Sequence, residues 1–413
     1  MVNGCLLEGP IGRRRGAVAP EMIVPGAMPS PDLRERVVVA MSGGVDSSVA
    51  AARLRDAGYE VVGVTLHLWD YPDEGKPGGH GRCCAPEDQY DARRVADALG
   101  FPHYTFDRRA LFAAEVIDPF VDAYLAGETP SPCTACNRSV KLAELFAIAD
   151  KLGAPRVATG HYARIVPDAA GAPRLAMGTD RTKDQSYFLY ASPRAWLERL
   201  VFPLGESTKS AVRQEAVARA LPGAGKGESQ ELCFTGSGPH AYADFVAARA
   251  GDRVRAGAIV DETGRRLGAH QGVHRFTIGQ RRGLGVAMGR PAFVARIDAE
   301  TATVHLGGEE TLRSRVADLT GVCLAEGVTL PLRASVKVRY RHDGDLATVT
   351  AAPSGEDRAA RVVFDAPVRA VTRGQVAVFY DGDRVVGGGR IAGVAHDERE
   401  DDQMPPLALR SEA

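Results

Sequence analysis

The chain has 413 residues, 45% of them hydrophobic and 25% charged, a balance that suits two or three globular domains, each with its own core. Lys and Arg number 51 against 52 Asp and Glu, a formal net charge of −1; this excludes a globally basic nucleic-acid binder but leaves room for a local basic face. Seven cysteines, few and odd in number, argue against a secreted disulfide scaffold, and no run reaches the ~18 apolar residues needed to span a bilayer, so the expected compartment is the cytoplasm, with no membrane partner.

Residues 1–34 are rich in Gly, Pro and Ala without periodicity and are expected to be a disordered extension; Arg13–Arg15 is followed by no apolar signal region, and Met22 and Met28 are alternative starts. Arg36–Ala40 is a β-branched run that reads as a buried parallel strand, Ser42–Asp46 as a small-residue loop, Ser47–Ala57 as a helix closed by Gly58, and Glu60–Leu68 as a second strand. A helix from Pro86 to Gly100, a strand at His103–Phe106, a helix over Leu111–Ala126 kinked at Pro119, a helix capped by Asn137 and running to Lys151, and a strand at Arg156–Thr159 continue the alternation. This is a doubly wound α/β domain, expected over 35–240, with its ligand at the carboxyl ends of the strands. After about Phe245 short alternating runs separated by Gly, Asp-Gly and Pro take over: Ala292–Ile297, Thr301–Gly307, Ala334–Arg341, Leu346–Ala351, Ala360–Phe364 and Val376–Tyr380, with Asp381-Gly382 a hairpin turn. They predict a small central domain over 241–309, a C-terminal β-barrel over 310–395 and a charged tail over 396–413.

Within the first βαβ unit, Met41–Ser48 reads MSGGVDSS. Glycines let the backbone N–H groups of Ser42–Gly44 converge on an anion, the following helix adds its N-terminal partial charge, and Asp46 is a candidate Mg2+ ligand. The loop lacks the Gly-Lys-Ser/Thr ending of a Walker A loop.

Cys133 and Cys136 form a CxxC in SPCTACN, and Cys233 lies in ESQELCF. Cys136 directly precedes the expected helix start at Asn137, where a helix N-terminus would favour a thiolate. Three thiols fit two chemistries: a persulfide on one resolved by another, or an iron–sulfur cluster with one iron open. Buried small hydrophobes are the bland alternative. Adjacent Cys83 and Cys84 suit a loop role, and Cys5 and Cys323 are expected to be inert. His161 follows a strand at the ligand edge. Lys183–Gln185 starts a short helix, either as a capping turn or as a contact surface. In the run Arg333–His342, alternation puts Arg333, Ser335, Lys337, Arg339 and Arg341 on one strand face, which suits either an RNA phosphate track or a solvated edge strand.

Taken together and in order, VAMSGGVDSS, SPCTACNRSVKL, ATGHYAR (Ala158–Arg164), KDQSYFL (Lys183–Leu189), ESQELCF, TIGQRRGLG (Thr277–Gly285) and VRYR (Val338–Arg341) resemble the bacterial tRNA-specific 2-thiouridylases, over nearly all of 36–394; the loop itself resembles that of the PP-loop ATP pyrophosphatases. The resemblance implies a tRNA-uridine 2-sulfurtransferase. It would adenylate the C2 oxygen of uridine 34 in the anticodon stem-loop, releasing pyrophosphate, and then replace that oxygen with sulfur from a cysteine desulfurase or sulfur relay. Carried over by position, Ala40, Met41, Ser42, Gly43, Gly44, Val45, Asp46 and Ser47, with Leu66 and Gly160, would bind ATP. Ser131, Pro132 and Cys133 would line the target base. His161, Lys183, Asp184, Gln185, Arg339, Tyr340 and Gln375 would contact tRNA. Cys136 would be the nucleophile or resolving thiol, and Cys233 the persulfide carrier. Familiar members carry Asp where this chain has Cys133; the CxxC form resembles members proposed to hold a [4Fe-4S] cluster, here through Cys133, Cys136 and Cys233. Two rival readings are a PP-loop synthetase acting on a small molecule, which would need neither Cys136 nor Cys233, and an RNA-binding module with a dead nucleotide site.

Overall fold

The computed structural model describes residues 35–70, 86–227, 232–236, 238, 240–286 and 288–395; the expected terminal extension and tail, Cys5, Cys83 and Cys84 lie outside them. The strands of the first half are β1 (Arg36–Ala40), β2 (Glu60–His67), β3 (His103–Asp107), β4 (Arg156–Ala158), β5 (Ala163–Pro167), β6 (Pro173–Met177) and β7 (Leu200–Val201). Five make a parallel sheet in the order β3-β2-β1-β4-β7. Val37, Val38 and Val39 of β1 are wholly buried, as a central strand covered on both faces requires. Helix α1 (Val45–Asp56) follows β1, and α2 (Pro86–Leu99) follows β2. The expected doubly wound architecture is thus present.

Two helices differ instructively from expectation. The run 109–125 does not simply kink at Pro119: a π turn over Ala113–Ile117 precedes Asp118–Leu125, and its wider ladder accommodates a residue with no N–H to donate. The helix expected from Asn137 starts earlier, at Pro132, and runs through a π turn over Cys136–Leu142 into Ala143–Lys151. Proline at the first helical position explains the start.

The hairpin β5–β6 leaves the parallel sheet and joins the far end of the chain. The later strands are β8 (Gly257–Val260), β9 (Arg266–His270), β10 (Phe293–Asp298), β11 (Thr303–Gly307), β12 (Arg313–Leu324), β13 (Leu332–Lys337), β14 (Asp345–Ala351), β15 (Ala360–Arg369), β16 (Val376–Asp381) and β17 (Arg384–Ala395). The first four form a small sheet, β10-β11-β8-β9. The last six follow the order β12-β15-β14-β13-β16-β17, and β12 also pairs with β17, so the sheet closes into a barrel and leaves no free edge within that circuit. Ala317, Val336, Val349, Val362 and Phe379 fill it. Asp381-Gly382 turns β16 into β17 as expected, with Gly382 at φ 58°. The barrel is joined to the α/β half: β17 pairs with β6 at Arg384 and Ala176, the Met177 N–H donates to the Asp383 carbonyl at 2.8 Å, and the Tyr187 hydroxyl donates to the Val376 carbonyl at 2.9 Å.

β13 stops at Lys337, and Val338–Arg341 is a turn. The single basic strand face expected across Arg333–Arg341 is therefore broken: Arg339 and Arg341 are not in register with Arg333 and Lys337. Past the strand end the Tyr340 ring packs on Phe188 of the α/β half at 4.5 Å between centroids.

Candidate functional site

The β1–α1 loop lies at the carboxyl edge of the sheet. The Met41 N–H still donates to the Val64 carbonyl, and Thr65 Oγ1 donates to the Met41 carbonyl at 2.7 Å; Ala40 and Met41 thus extend the ladder before the chain swings away. Gly43 sits at φ +71°, and a Cβ there would lie 2.1 Å from the Asp88 carbonyl oxygen of α2, so no other residue type fits. The Ser42 N–H donates to Ser47 Oγ at 3.2 Å, and the Ser47 and Ser48 hydroxyls both donate to the Gly44 carbonyl at 3.0 Å. Ser42 therefore points an N–H inward, onto the loop's own serine. The amides that face an incoming anion are those at the start of α1, Val45 to Ser47, which helix geometry leaves without a carbonyl of their own helix. Gly160, expected at the nucleotide, packs on this helix start: its Cβ would meet Asp46 C and Ser47 N at 2.9 Å. Leu66 is buried in β2 beside it.

Asp46 has partners that sequence reasoning missed. Both carboxylate oxygens accept from Lys209 Nζ at 2.7 Å, and Oδ1 accepts from the Tyr162 hydroxyl at 2.8 Å. Lys209 opens the helix Lys209–Ala218 and lies over the Tyr162 ring. Helix Lys209–Ala218 is fixed to α1 by Arg53, which donates to Glu215 at 2.6 Å and to the Pro203 carbonyl at 2.8 Å. The loop thus has a lysine after all, delivered from 163 residues away. The carboxylate expected to hold Mg2+ is held here by the Lys209 ammonium on both oxygens, so a cation would reach it only once that ammonium moves.

The thiol segment sits on the neighbouring helix. Because that helix starts at Pro132, Cys133 occupies its first turn and is exposed, while Cys136 lies a turn further in and is 5% exposed. The N-terminal field falls off within the first turn, so the expected thiolate-favouring position belongs to Cys133 rather than Cys136. Ser131 Oγ and Thr134 Oγ1 share a hydrogen bond at 3.0 Å, and Pro132 is buried. Cys136 belongs to the core that also holds Phe112, Phe120 and Phe234, and Cys233 and Leu232 pack against that core. Phe234 is the anchor of the Cys233 segment: its ring meets Phe112, Phe120 and Phe245 at 5.7, 5.1 and 5.3 Å. The structure so places Cys136 and Cys233 on one apolar core. It does not gather Cys133, Cys136 and Cys233 into a metal-binding set: among the described residues no group of three or more His, Cys, Asp or Glu side chains is placed to hold a metal ion, because Cys133 faces outward while the other two adjoin the core. The expected [4Fe-4S] ligation does not fit this arrangement.

The residues expected to contact tRNA divide. His161 follows β4 at the ligand edge, its Nδ1 2.7 Å from Thr159 Oγ1; burial and, secondarily, the Lys141 ammonium lower its pKa to about 3, so the ring is neutral at pH 7. Lys183 lies in a half-buried turn. Asp184 is turned inward: at 4% exposure its carboxylate accepts from the N–H groups of Gly178 and Ser186 at 3.1 Å and from the Ser186 hydroxyl at 3.0 Å, a buried brace between the β6 end and the start of the helix Ser186–Leu189. Gln185 Oε1 accepts from the Tyr162 N–H at 2.9 Å. Arg339 donates to the Arg369 carbonyl at 3.1 Å, and Tyr340 stacks as described. Gln375 reaches across domains, donating through Nε2 to the carbonyls of Thr129 at 2.9 Å and Pro130 at 3.2 Å, directly before Ser131. Arg373 and Arg390 pair with the buried Glu128 in the same stretch. No helix among the described residues is long and apolar enough to cross a membrane.

Comparison with known proteins agrees with this layout. Residues 35–237 match the tRNA methyl transferase HUP domain, 243–308 the tRNA methyl transferase PRC-barrel domain and 325–391 the aminomethyltransferase beta-barrel domain. The tRNA-specific 2-thiouridylase MnmA of Sorangium cellulosum is 61% identical over 371 residues, covering 89% of this chain and 94% of that protein. That of Moorella thermoacetica is 48% identical over 362 residues, covering 87% and 99%, and that of Heliobacterium modesticaldum is 45% identical over 364 residues, covering 87% and 93%. With a phosphate loop on a parallel sheet, a cysteine pair bordering one core and a closed barrel alongside, the chain belongs to the tRNA-specific 2-thiouridylase family.

Proposed function

We propose that this protein thiolates uridine 34 of tRNA at C2, in two chemical steps run from one sheet edge. ATP places its phosphates on the α1 amides, with Lys209 swinging from Asp46 to the departing pyrophosphate; Mg2+ enters on the nucleotide's own phosphates. The uracil O2 attacks the α-phosphorus, the bond to the bridging oxygen breaks, and pyrophosphate leaves. C2 then carries AMP as a leaving group. The terminal sulfur of a Cys233 persulfide, loaded by a cysteine desulfurase or sulfur relay, attacks C2 and AMP departs with the original oxygen. The Cys136 thiolate attacks Cys233 Sγ, the S–S bond to the substrate breaks, and 2-thiouridine is released beside a Cys136–Cys233 disulfide that a thiol reductant resets. Ser131 and Cys133 face the base, and the barrel, with Arg339 and Gln375 at its inner rim, carries the anticodon stem; we assign catalysis to 35–240, linkage to 241–309 and stem contact to 310–395, in the cytoplasm where the tRNA is. Recognition rests on shape and backbone, because U34 lies in a single-stranded loop.

The observation that carries this reading is that Cys136 belongs to the apolar core against which the Phe234-anchored Cys233 also packs. A small-molecule synthetase would have no use for either thiol. The test is purified protein with tRNA, ATP and a persulfide donor: Cys233→Ser should release pyrophosphate yet form no 2-thiouridine by mass spectrometry of nucleosides. Full thiolation by Cys233→Ser would remove the persulfide step, and tRNA-independent turnover of a small acceptor would favour the synthetase.

A further inference from the structure

Asn137 follows Cys136 and is 5% exposed, yet its Oδ1 has no hydrogen-bond partner. Buried side-chain oxygens are almost always bonded, so an orphaned one calls for an explanation. The expected capping role does not supply it, because the helix starts five residues earlier. Asn137 directly follows Cys136 and lies about one turn on from Cys133, at the start of the π turn. An unfilled acceptor therefore stands about one turn along the helix from Ser131–Cys133, of which Cys133 is exposed.

We propose that Asn137 Oδ1 accepts the N3–H of the uracil being thiolated and makes the site selective for uracil. The assignment rests on the thiolation reading above and adds the group that reads the base. Uracil has a donor at N3 and cytosine a lone pair, so cytosine would set two acceptors against each other in a buried site, where an unmade bond is costly. An acceptor on N3–H also pushes electron density toward O2, the atom to be adenylated.

The test uses the full-length enzyme and anticodon stem-loops bearing uridine, 3-methyluridine or cytidine at position 34, with pyrophosphate release read as kcat/KM and 2-thiouridine read by mass spectrometry. The wild type should prefer uridine over both others by roughly 10- to 100-fold or more. Asn137→Ala should bind ATP normally, lose about 10- to 100-fold on uridine, and accept 3-methyluridine within about threefold of uridine, since the methyl group enters the vacated space. Asn137→Ser, which keeps a small oxygen, should fall between. Equal use of uridine and 3-methyluridine by the wild type would overturn the assignment without any variant, as would an Asn137→Ala enzyme with undiminished preference. A wild-type enzyme that thiolates none of the loops would sink the thiolation reading itself, and this inference with it.

Discussion

Replacing Phe234 by alanine separates the two halves of the chemistry. The ring is 4% exposed and meets three others, Phe112, Phe120 and Phe245, within 6 Å. Truncating a core phenylalanine costs about 3–5 kcal/mol. Here the ring anchors a short segment rather than a whole element, so the loss falls on docking of that segment. Taking the lower bound, ~3 kcal/mol lowers the docked population relative to the undocked one by a factor of roughly 100. The rings belong to a different core cluster from Met41 and Val45 of the phosphate loop, so activation of tRNA should continue. Single-turnover assays on one sample would follow pyrophosphate by a coupled enzyme reaction and 2-thiouridine by mass spectrometry. Pyrophosphate release should stay within threefold of wild type while thiolation drops at least tenfold; Phe234→Leu should recover most of it. Thiolation within threefold of wild type in Phe234→Ala would refute the idea that aromatic anchoring delivers Cys233.

Lys209→Met keeps the aliphatic stem over Tyr162 but removes the cation between Asp46 and the phosphates. Loss of a charge-assisted bond worth about 2–3 kcal/mol predicts pyrophosphate release slowed by roughly 30- to 150-fold in stopped assays. His161 is neutral in the fold with its pKa lowered to about 3, against about 6.5 for the free side chain. Between those values the unfolded chain binds the extra proton, so stability is full above pH 7 and falls as pH drops; urea titration should show up to about 2 kcal/mol lost by pH 5, and His161→Gln should flatten that slope. Gln375→Ala removes the two bonds to Thr129 and Pro130, which should raise KM for tRNA several-fold and leave ATP binding, measured by calorimetry, unchanged.

The β1–loop–α1–β2 unit was legible because its signals are local: β-branched residues, then glycines, then helix formers, within about thirty residues. The helix start at Pro132 carried an equally local signal, serine before proline, but Asn137 offered a competing cap and the CxxC drew the boundary to Cys136. That one boundary decides which thiol the helix N-terminus favours and whether Asn137 caps a helix or stands buried with an unfilled acceptor. What sequence could not supply was partnership at a distance. Asp46 reads as a metal ligand until Lys209 is seen on both its oxygens; Asp184 reads as a surface carboxylate until Gly178 and Ser186 are seen to enclose it.

The barrel shows the same limit. Alternation announces strands but not circuits, and closure depends on β12 meeting β17, a pairing no local pattern records. Nor does alternation know where a strand must stop: the basic run continues past Lys337, but β13 ends there and the Tyr340 ring beyond it packs on Phe188. Gln375, expected at the RNA, grips the stretch before Ser131. On the reading proposed above that stretch leads into the segment lining the base, so a residue that holds it from the barrel would pass the position of the stem to the position of the base, and the docking of the two halves becomes part of the site.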